Sequence, residues 1–521
     1  MAKRKQSTFE RLTRGKLSRK ERKEFQRRLQ SDNPGLEVVH QHAAGIDIGN
    51  ESHFVAVAPG RDPEPVREFG SWTADVVRMA AWLKSCGVKD VVMQSTGVYW
   101  IAVYEVLEEA GFNVCLANAR DTKNLPGRKT DVQESQWLLK LHTYGLLRNS
   151  FRPPEEIRHV RTIWRLRGRH VQEAAREIQH MQKALTTMNV QIANAISDLS
   201  GVTGQTILRA ILKGERDTYK LAEMKDYRVR ASNEEIARSL EGNWQEDVLF
   251  ELQQAVDAYD FIQRQIADCD RQLEKYMAVL PDRSMKQAEE VQSATVEPAS
   301  ESEVRAKGKQ RKSKNQNQKK HACNSDAQVA GGAKHGNFWE KNFNGSKKTA
   351  KNAPKFDLRS ELTRICGVDL TTINGVDVMT VQTFVSELGT DMTRWRTENH
   401  LVSWLKLAPN RGVSGGKLIK HERIKVKNRV TEALRMAASS LEHSESYLGA
   451  RYRHLKFRLG PKKAIKATAA HLARLFYRML THGQVWVDRG AQEHERKRTE
   501  RDLRSLQRKA AAHGFRLEPA A

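Results

Sequence analysis

From Ile157 to Leu199, and again from Leu252 to Leu280, apolar residues return at alternating three- and four-residue steps, and no other feature limits the fold as tightly. The first seam runs Ile157, Val160, Trp164, Val171, Ala174, Ile178, Met181, Leu185, Met188, Ile192, Ala195 and Leu199, with one skip. The second runs Leu252, Ala255, Tyr259, Ile262, Ile266, Cys269, Leu273, Tyr276 and Leu280. A seam of this period predicts long helices that bury one stripe against another helix, a coiled-coil region over 151–283. At about 1.5 Å per residue the first helix would reach roughly 65 Å, the length of a spacer or dimerisation arm. The two seams can pair as an antiparallel hairpin or between subunits, and the plainer alternative is two amphipathic helices in a bundle.

Upstream, over 41–150, short β-rich runs alternate with helical patterns. Ala44 to Ile48, His53 to Val57, Asp90 to Met93 and Asn113 to Leu116 read as strands, with helices from Ala74 to Cys86 and Ile101 to Ala110. That alternation predicts an α/β layer fold. Asp47 closes the first strand and Gln94 the buried strand near residue 93. Asp131 and Glu134, in Lys129-Thr-Asp-Val-Gln-Glu-Ser135, open a helix, where i,i+3 spacing puts both carboxylates on one face. Taken singly, each acid reads as a helix cap or a surface charge. As an ordered set from a first strand, a later strand and a following helix, they form the arrangement by which ribonuclease-H-like nucleases hold a divalent metal. Hard oxygen ligands suit Mg²⁺.

Two basic segments and a second ordered region complete the chain. Residues 1–40 form a basic extension, and 284–355 a Lys-, Gln-, Asn- and Ser-rich insert too polar to bury a core, hence predicted to be disordered. Order resumes over 356–482 as a mostly helical domain, followed by a charged helical tail over 483–521. Within Ile373-Asn-Gly-Val-Asp377 a turn between helices loosely resembles a helix-hairpin-helix. Ser414 lies in Gly412-Val-Ser-Gly-Gly416, with Arg411, Lys417, Lys420, Arg423 and Lys425 around it and Asn428 downstream. A serine between glycines is ordinarily a surface turn.

Lysine and arginine number 89 against 63 acidic residues, a net charge of +26, which favours a polyanionic partner and so nucleic acid. The five cysteines lack metal-ligand spacing. No run approaches the roughly 20 apolar residues that span a bilayer, and a cytoplasmic, nucleoid-associated protein is expected.

The motifs Gly-Ile-Asp47-Ile-Gly, Gln94-Ser-Thr-Gly-Val-Tyr-Trp, Lys-Thr-Asp131-Val-Gln-Glu134 and Leu407-Ala-Pro-Asn-Arg-Gly-Val-Ser414-Gly-Gly-Lys417 together resemble transposases of the insertion-sequence 110 family, in the branch called 1111. The resemblance covers most of 42–280 and 356–480. It implies a RuvC-like, ribonuclease-H-like domain with four acidic positions, a coiled-coil arm, and a mostly helical C-terminal domain whose serine attacks DNA. By that resemblance Asp47, Gln94, Asp131 and Glu134 hold Mg²⁺, Ser414 forms a covalent phosphoserine link, and Arg411, Lys417, Arg423, Lys425 and Asn428 contact nucleic acid. The implied partners are donor and target double-stranded DNA, a structured non-coding guide RNA called bridge RNA, and further copies of the chain in a dimer or tetramer. Two positions depart from the pattern: glutamine stands at the second acidic position and glutamate at the fourth, where aspartate is common. An amide oxygen ligates without contributing charge, which leaves the burden on Asp47, Asp131 and Glu134.

Three other classes share parts of these signals. A RuvC-like nuclease or junction resolvase would use water in place of Ser414. An actin-like ATPase shares Gly-Ile-Asp-Ile-Gly but needs a second glycine-rich phosphate loop, absent before the seams. A non-catalytic nucleic-acid-binding protein would fit if Gln94 marked a lost metal site.

Overall fold

The computed structural model describes residues 34–94, 97–118, 130–283, 352–409, 428–483 and 485–518, with Glu24, Arg27 and the backbone of two short strands within 412–420. Most of the basic extension and nearly all of the basic insert lie outside the described residues. The chain divides into two compact units, Met1–Arg152 and Pro153–Ala521.

The first unit is built on β1 (Ala43–Ile48), β2 (Ser52–Val57), β3 (Val66–Gly70), α1 (Thr73–Ser85), β4 (Asp90–Gln94), α2 (Trp100–Glu109), β5 (Asn113–Ala117) and α3 (Asp131–Thr143). Its five strands form one sheet in the order β3-β2-β1-β4-β5. β1 pairs in parallel with β4, and β4 with β5, whereas β2 runs antiparallel to both of its neighbours. Side chains alternate between the faces of a strand. On one face Ala44, Ile46, Ile48, Val91, Met93, Val114 and Leu116 meet Met79, Leu83, Val103 and Leu107 of α1 and α2 in the main core. On the other, Leu138 of α3 packs on Val92, Cys115 and Ala117, and Leu139 on Ala43 and Ala56. Burial on both faces explains why β1 and β4 read as nearly continuous apolar runs.

The second unit opens with α4 (Glu155–Thr187), followed by the short helices α5 (Ile192–Ala195), α6 (Val202–Leu212), α7 (Thr218–Glu223) and α8 (Asn233–Ser239), and then α9 (Glu246–Ala278). The first long helix is therefore shorter than its seam predicts. It ends at Thr187, beyond which Asn189 takes a positive φ of 58° and turns the chain. Met188, Ile192 and Leu199 keep the apolar period and bring Ile207, Leu208, Ile211 and Ile236 of the short helices into the core that the end of α4 shares with Leu252. At 33 residues, α4 spans about 50 Å. α4 and α9 pack against each other as an antiparallel hairpin within one chain: Met181 and Leu185 share a core with Leu252 and Val256, while His159 stacks on Tyr276 toward the other end. Between them the buried guanidinium of Arg167 pairs with the buried carboxylate of Asp270.

Beyond the insert come α10 (Leu358–Cys366), α11 (Val378–Leu388), α12 (Glu398–Trp404), β6 (Gly412–Ser414), β7 (Lys417–Lys420), α13 (Arg429–Ser440), α14 (Tyr447–Leu459), α15 (Pro461–His482) and α16 (Gly490–Ala512). Arg364 of α10 donates to the carbonyls of Met277 and Leu280, satisfying the open end of α9 (2.8 Å each). α11 docks on α4, where Trp164 Nε1 donates to Thr383 (3.2 Å) and Glu387 accepts two hydrogen bonds from Arg165 (2.8 and 2.7 Å). Burial would raise the Glu387 pKa, but Arg165, Arg161 and Arg429 outweigh it and hold the carboxyl below its usual range. Gly375, in the turn that resembled a helix-hairpin-helix, has φ +80° and backs onto the Ala437 carbonyl, where a Cβ would sit 2.8 Å away. That glycine serves helix packing. No helix among the described residues is long and apolar enough to cross a membrane.

Removing one partner of a buried ion pair strands the other. Asp270→Ala is accordingly expected to cost about 3–5 kcal/mol in urea denaturation. Replacing both partners, Arg167→Met with Asp270→Leu, should recover most of that loss.

Candidate active site

Gly45 decides the geometry of the acidic set. A Cβ at this position would lie 2.4 Å from both the Ser135 carbonyl oxygen and the Leu139 nitrogen, so the backbone of α3 rests directly on β1. Ser135 is fully buried at this contact and returns its hydroxyl to the Val132 carbonyl (2.8 Å). The helix runs against the strand. Its last carbonyl, on Thr143, accepts from Val39 and His40 just before β1 (2.8 and 3.0 Å), while Leu139 sits over Ala43. The first turn of α3 therefore lies toward the end of β1, where Asp47 is.

Asp47 shares the α3 face of the sheet with Gly45, two residues earlier. The parallel register Ile46 with Met93 brings Gln94 next in line beside Asp47 on the same face. Both are half-buried. Thr130 caps α3 by accepting from Gln133 N (3.3 Å), which fixes Asp131 at the first helical position and Glu134 three residues on. Both carboxylates occupy the first turn, where the helix dipole favours negative charge. The structure thus gathers the four sequence-predicted positions at one edge of one sheet face. Among the described residues, no three His, Cys, Asp or Glu side chains close around a common point as a ready metal cage. The donor set nonetheless fits a hard dication by type, since all four positions offer oxygen. His53, on β2, stands opposite Ile48 on the other face. Its burial pushes its pKa below the ordinary value, and it belongs to the packing beneath.

In the second unit Ser414 is the last residue of β6 and pairs with Lys417 across a two-stranded antiparallel ribbon whose register shifts at Gly412 and Val413. The ends of this segment are tied down. Thr431 Oγ1 donates to the Leu405 carbonyl (2.8 Å), and Lys466 Nζ donates to the Ala408 carbonyl (3.3 Å). Asn428, grouped by sequence with the nucleic-acid contacts, accepts from Thr431 N as the cap of α13 (3.2 Å). Its amide oxygen has a structural task that the sequence reading did not assign. Arg411, Arg423 and Lys425 lie outside the described residues, and Ser414 and Lys417 are described by backbone alone.

Oxygen donors at the carboxyl edge of a mixed sheet, in a chain of net charge +26, suit a protein that acts on a phosphodiester polymer. Two family models give that class a family. Residues 44–190 match a model described as Transposase, of the DEDD type, and residues 369–453 match one described as Transposase IS116/IS110/IS902 family. The chain belongs to the insertion-sequence 110 family of transposases, and its substrate is DNA. No curated protein matches it. The first match covers the whole acidic set and the second covers Ser414. Gln94 and Glu134 stand where the family pattern has glutamate and aspartate.

Sequence reasoning missed Gly45 and Ser135, although small residues facing each other across a strand and a helix are the available signal for such close packing. Gly45→Ala is expected to push α3 off β1 and cost about 1–3 kcal/mol by thermal or urea unfolding. The same change at Gly60, where a Cβ meets nothing within 4 Å but φ is +89°, should act through local backbone strain and leave α3 in place. Amide exchange along α3 distinguishes the two.

Proposed function

We propose that this transposase carries out RNA-guided, site-specific DNA strand exchange through a covalent phosphoserine intermediate. One observation carries the reading: Asp47, Gln94, Asp131 and Glu134, far apart in sequence, come to one sheet edge because α3 packs on Gly45. A divalent cation such as Mg²⁺, held by these oxygens, would polarise a phosphate oxygen. Ser414 is the nucleophile. Its Oγ bonds to phosphorus, its proton passes to a general base, and the sugar oxygen departs to take a proton from solvent. The phosphoserine ester conserves the energy of the broken phosphodiester, so the second strand's sugar hydroxyl rejoins the DNA without ATP. A serine hydroxyl is a weak nucleophile unless a base assists it, and its own motif holds neither histidine nor aspartate. A base must therefore come from elsewhere, for which the carboxylates of the acidic set are the candidates.

Basic residues around Ser414 suit the charge developing on phosphate, and its cross-strand partner is Lys417. The family resemblance supplies the remaining partners: donor and target duplexes, and a structured non-coding guide RNA. It also supplies assembly as a dimer or tetramer with a coiled-coil arm. Because the two seams face each other within the chain, any subunit contact made by the hairpin uses its outer surface.

Asp131→Ala and Ser414→Ala proteins should each fail to form the protein–DNA adduct, falling by at least about three orders of magnitude in rate. Mixed oligomers of the two should recover part of it if subunits share the work. Adduct formed by the Asp131→Ala protein alone would overturn the role of the acidic set. Cleavage without any adduct in the unmodified protein would replace the serine with water.

A further inference from the structure

The last three helices turn cation-rich faces toward one another. On α14, Arg451, His454 and Arg458 follow helical spacing, as do His471, Leu475 and Arg478 on α15 and His494, Lys497, Arg498 and Arg501 on α16. Inward faces of packed helices are ordinarily apolar. Here they enclose an open cleft of about 910 Å³. Its lining holds a single carboxylate, Asp502, which lies 3.7 Å from Arg498. Arg478 is neutralised by Glu398 and Lys497 by Glu493. Among the described residues, Arg451, Arg458, Arg489 and Arg501 have no carboxylate partner.

The cleft is electrostatically costly as it stands. Burial, followed by the charges of Arg474 and Arg501, pushes the half-buried Arg451 guanidinium below its ordinary pKa. Burial and the charges of Arg451, Arg474 and Arg478 push His471 down to about 3, so this histidine is neutral at physiological pH. Converging cations without counter-ions are what an anion site presents before its ligand arrives. Two aromatic rings narrow the ligand further. Tyr447 and Trp486 both line the cleft and both are held, Trp486 by its Nε1 donating to Asn374 (3.2 Å) and Tyr447 by its ring packing edge-on against His494 (centroids 5.2 Å apart). Fixed aromatics among guanidinium groups take unstacked bases and their phosphates together. A duplex is too bulky to be enclosed by a cleft of about 910 Å³.

We propose that the cleft between α14, α15 and α16 binds a single-stranded nucleic-acid segment, its phosphates on Arg451, Arg498 and Arg501 and a base against Trp486 or Tyr447. Most of its lining lies beyond residue 453, where the second family match ends. The proposal rests on the nucleic-acid reading for the class of ligand only. The two fail separately, because a Ser414→Ala protein that forms no adduct should keep this binding.

The test uses the full chain and short fluorescein-labelled oligouridylate and oligothymidylate strands in anisotropy titrations over a range of salt. The triple change Arg451→Gln, Arg498→Gln, Arg501→Gln should weaken single-strand binding at least tenfold and reduce the magnitude of the salt slope by about 2, given roughly 0.7 per single-strand phosphate contact. Its thermal unfolding temperature should not fall, since like-charge repulsion is relieved, and Arg501→Gln alone, on the exposed part of α16, gives the same direction should the triple variant misfold. Trp486→Leu should weaken binding with the salt slope unchanged. A strand carrying 5-bromouracil should photocrosslink to Trp486 or Tyr447, and preference for the uridine or the thymidine strand identifies RNA or DNA as the source. Unchanged single-strand affinity and slope in a folded triple variant overturn the proposal. So do crosslinks confined to residues outside 447–501, or an equal loss of duplex binding.

Discussion

The contact between Gly45 and the backbone of α3 is the constraint on which the candidate active site depends. A sheet alone places Asp47 beside Gln94, because β1 and β4 are parallel neighbours in register. Only a helix lying at backbone distance, and running against β1, brings Asp131 and Glu134 over that edge. The price of so close an approach is that no side chain fits at position 45, and the benefit is a helix whose first turn is fixed toward the end of β1 that carries Asp47. The Thr130 cap sets where that turn begins, and the packing of Leu138 and Leu139 sets its tilt. The candidate acidic set is thus positioned by groups that lie outside it.

The serine is positioned by a different device. It ends a strand of a small ribbon set between two helices, and the helical bundle fixes the segment's ends through Thr431, Lys466 and the Asn428 cap. Ribbon tips anchored at their bases can meet a substrate without rebuilding the core that carries them. The bundle itself is joined to the long hairpin through Glu387 and three arginines and through the Trp164 indole, so residues far apart in sequence form one compact unit.

Much of this was legible in the sequence because it followed from period. Short β-rich runs marked β1, β2, β4 and β5 but not β3, β6 or β7, the three-and-four seams marked both long helices, and acids at strand ends and a helix start marked the candidate site. What stayed hidden depended on non-local contact. The seam beyond Thr187 kept its period while the backbone turned at Asn189, since apolar spacing reports burial and not which partner is buried against. Asn428 read as a polar residue near a basic motif, and only the start of α13 shows it to be a cap. Gly45 carries no chemical signature at all until a helix is laid on it. The basic faces of the last helices were visible as charge, yet their convergence required the arrangement of α14, α15 and α16. Arg411, Arg423, Lys425 and the side chain of Ser414 lie outside the described residues, so their roles rest on the family pattern.

The central claim is that helix packing at Gly45, as much as the identity of the acids, makes the acidic set a site. Mn²⁺ binding followed by electron paramagnetic resonance tests it directly, using the intact protein and a Gly45→Val variant whose four oxygen-bearing side chains are untouched. The account expects a bound ion in the intact protein, its loss in an Asp47→Asn, Asp131→Asn protein, and an affinity reduced by at least tenfold in folded Gly45→Val. Undiminished Mn²⁺ affinity in Gly45→Val, with α3 displaced, would contradict it.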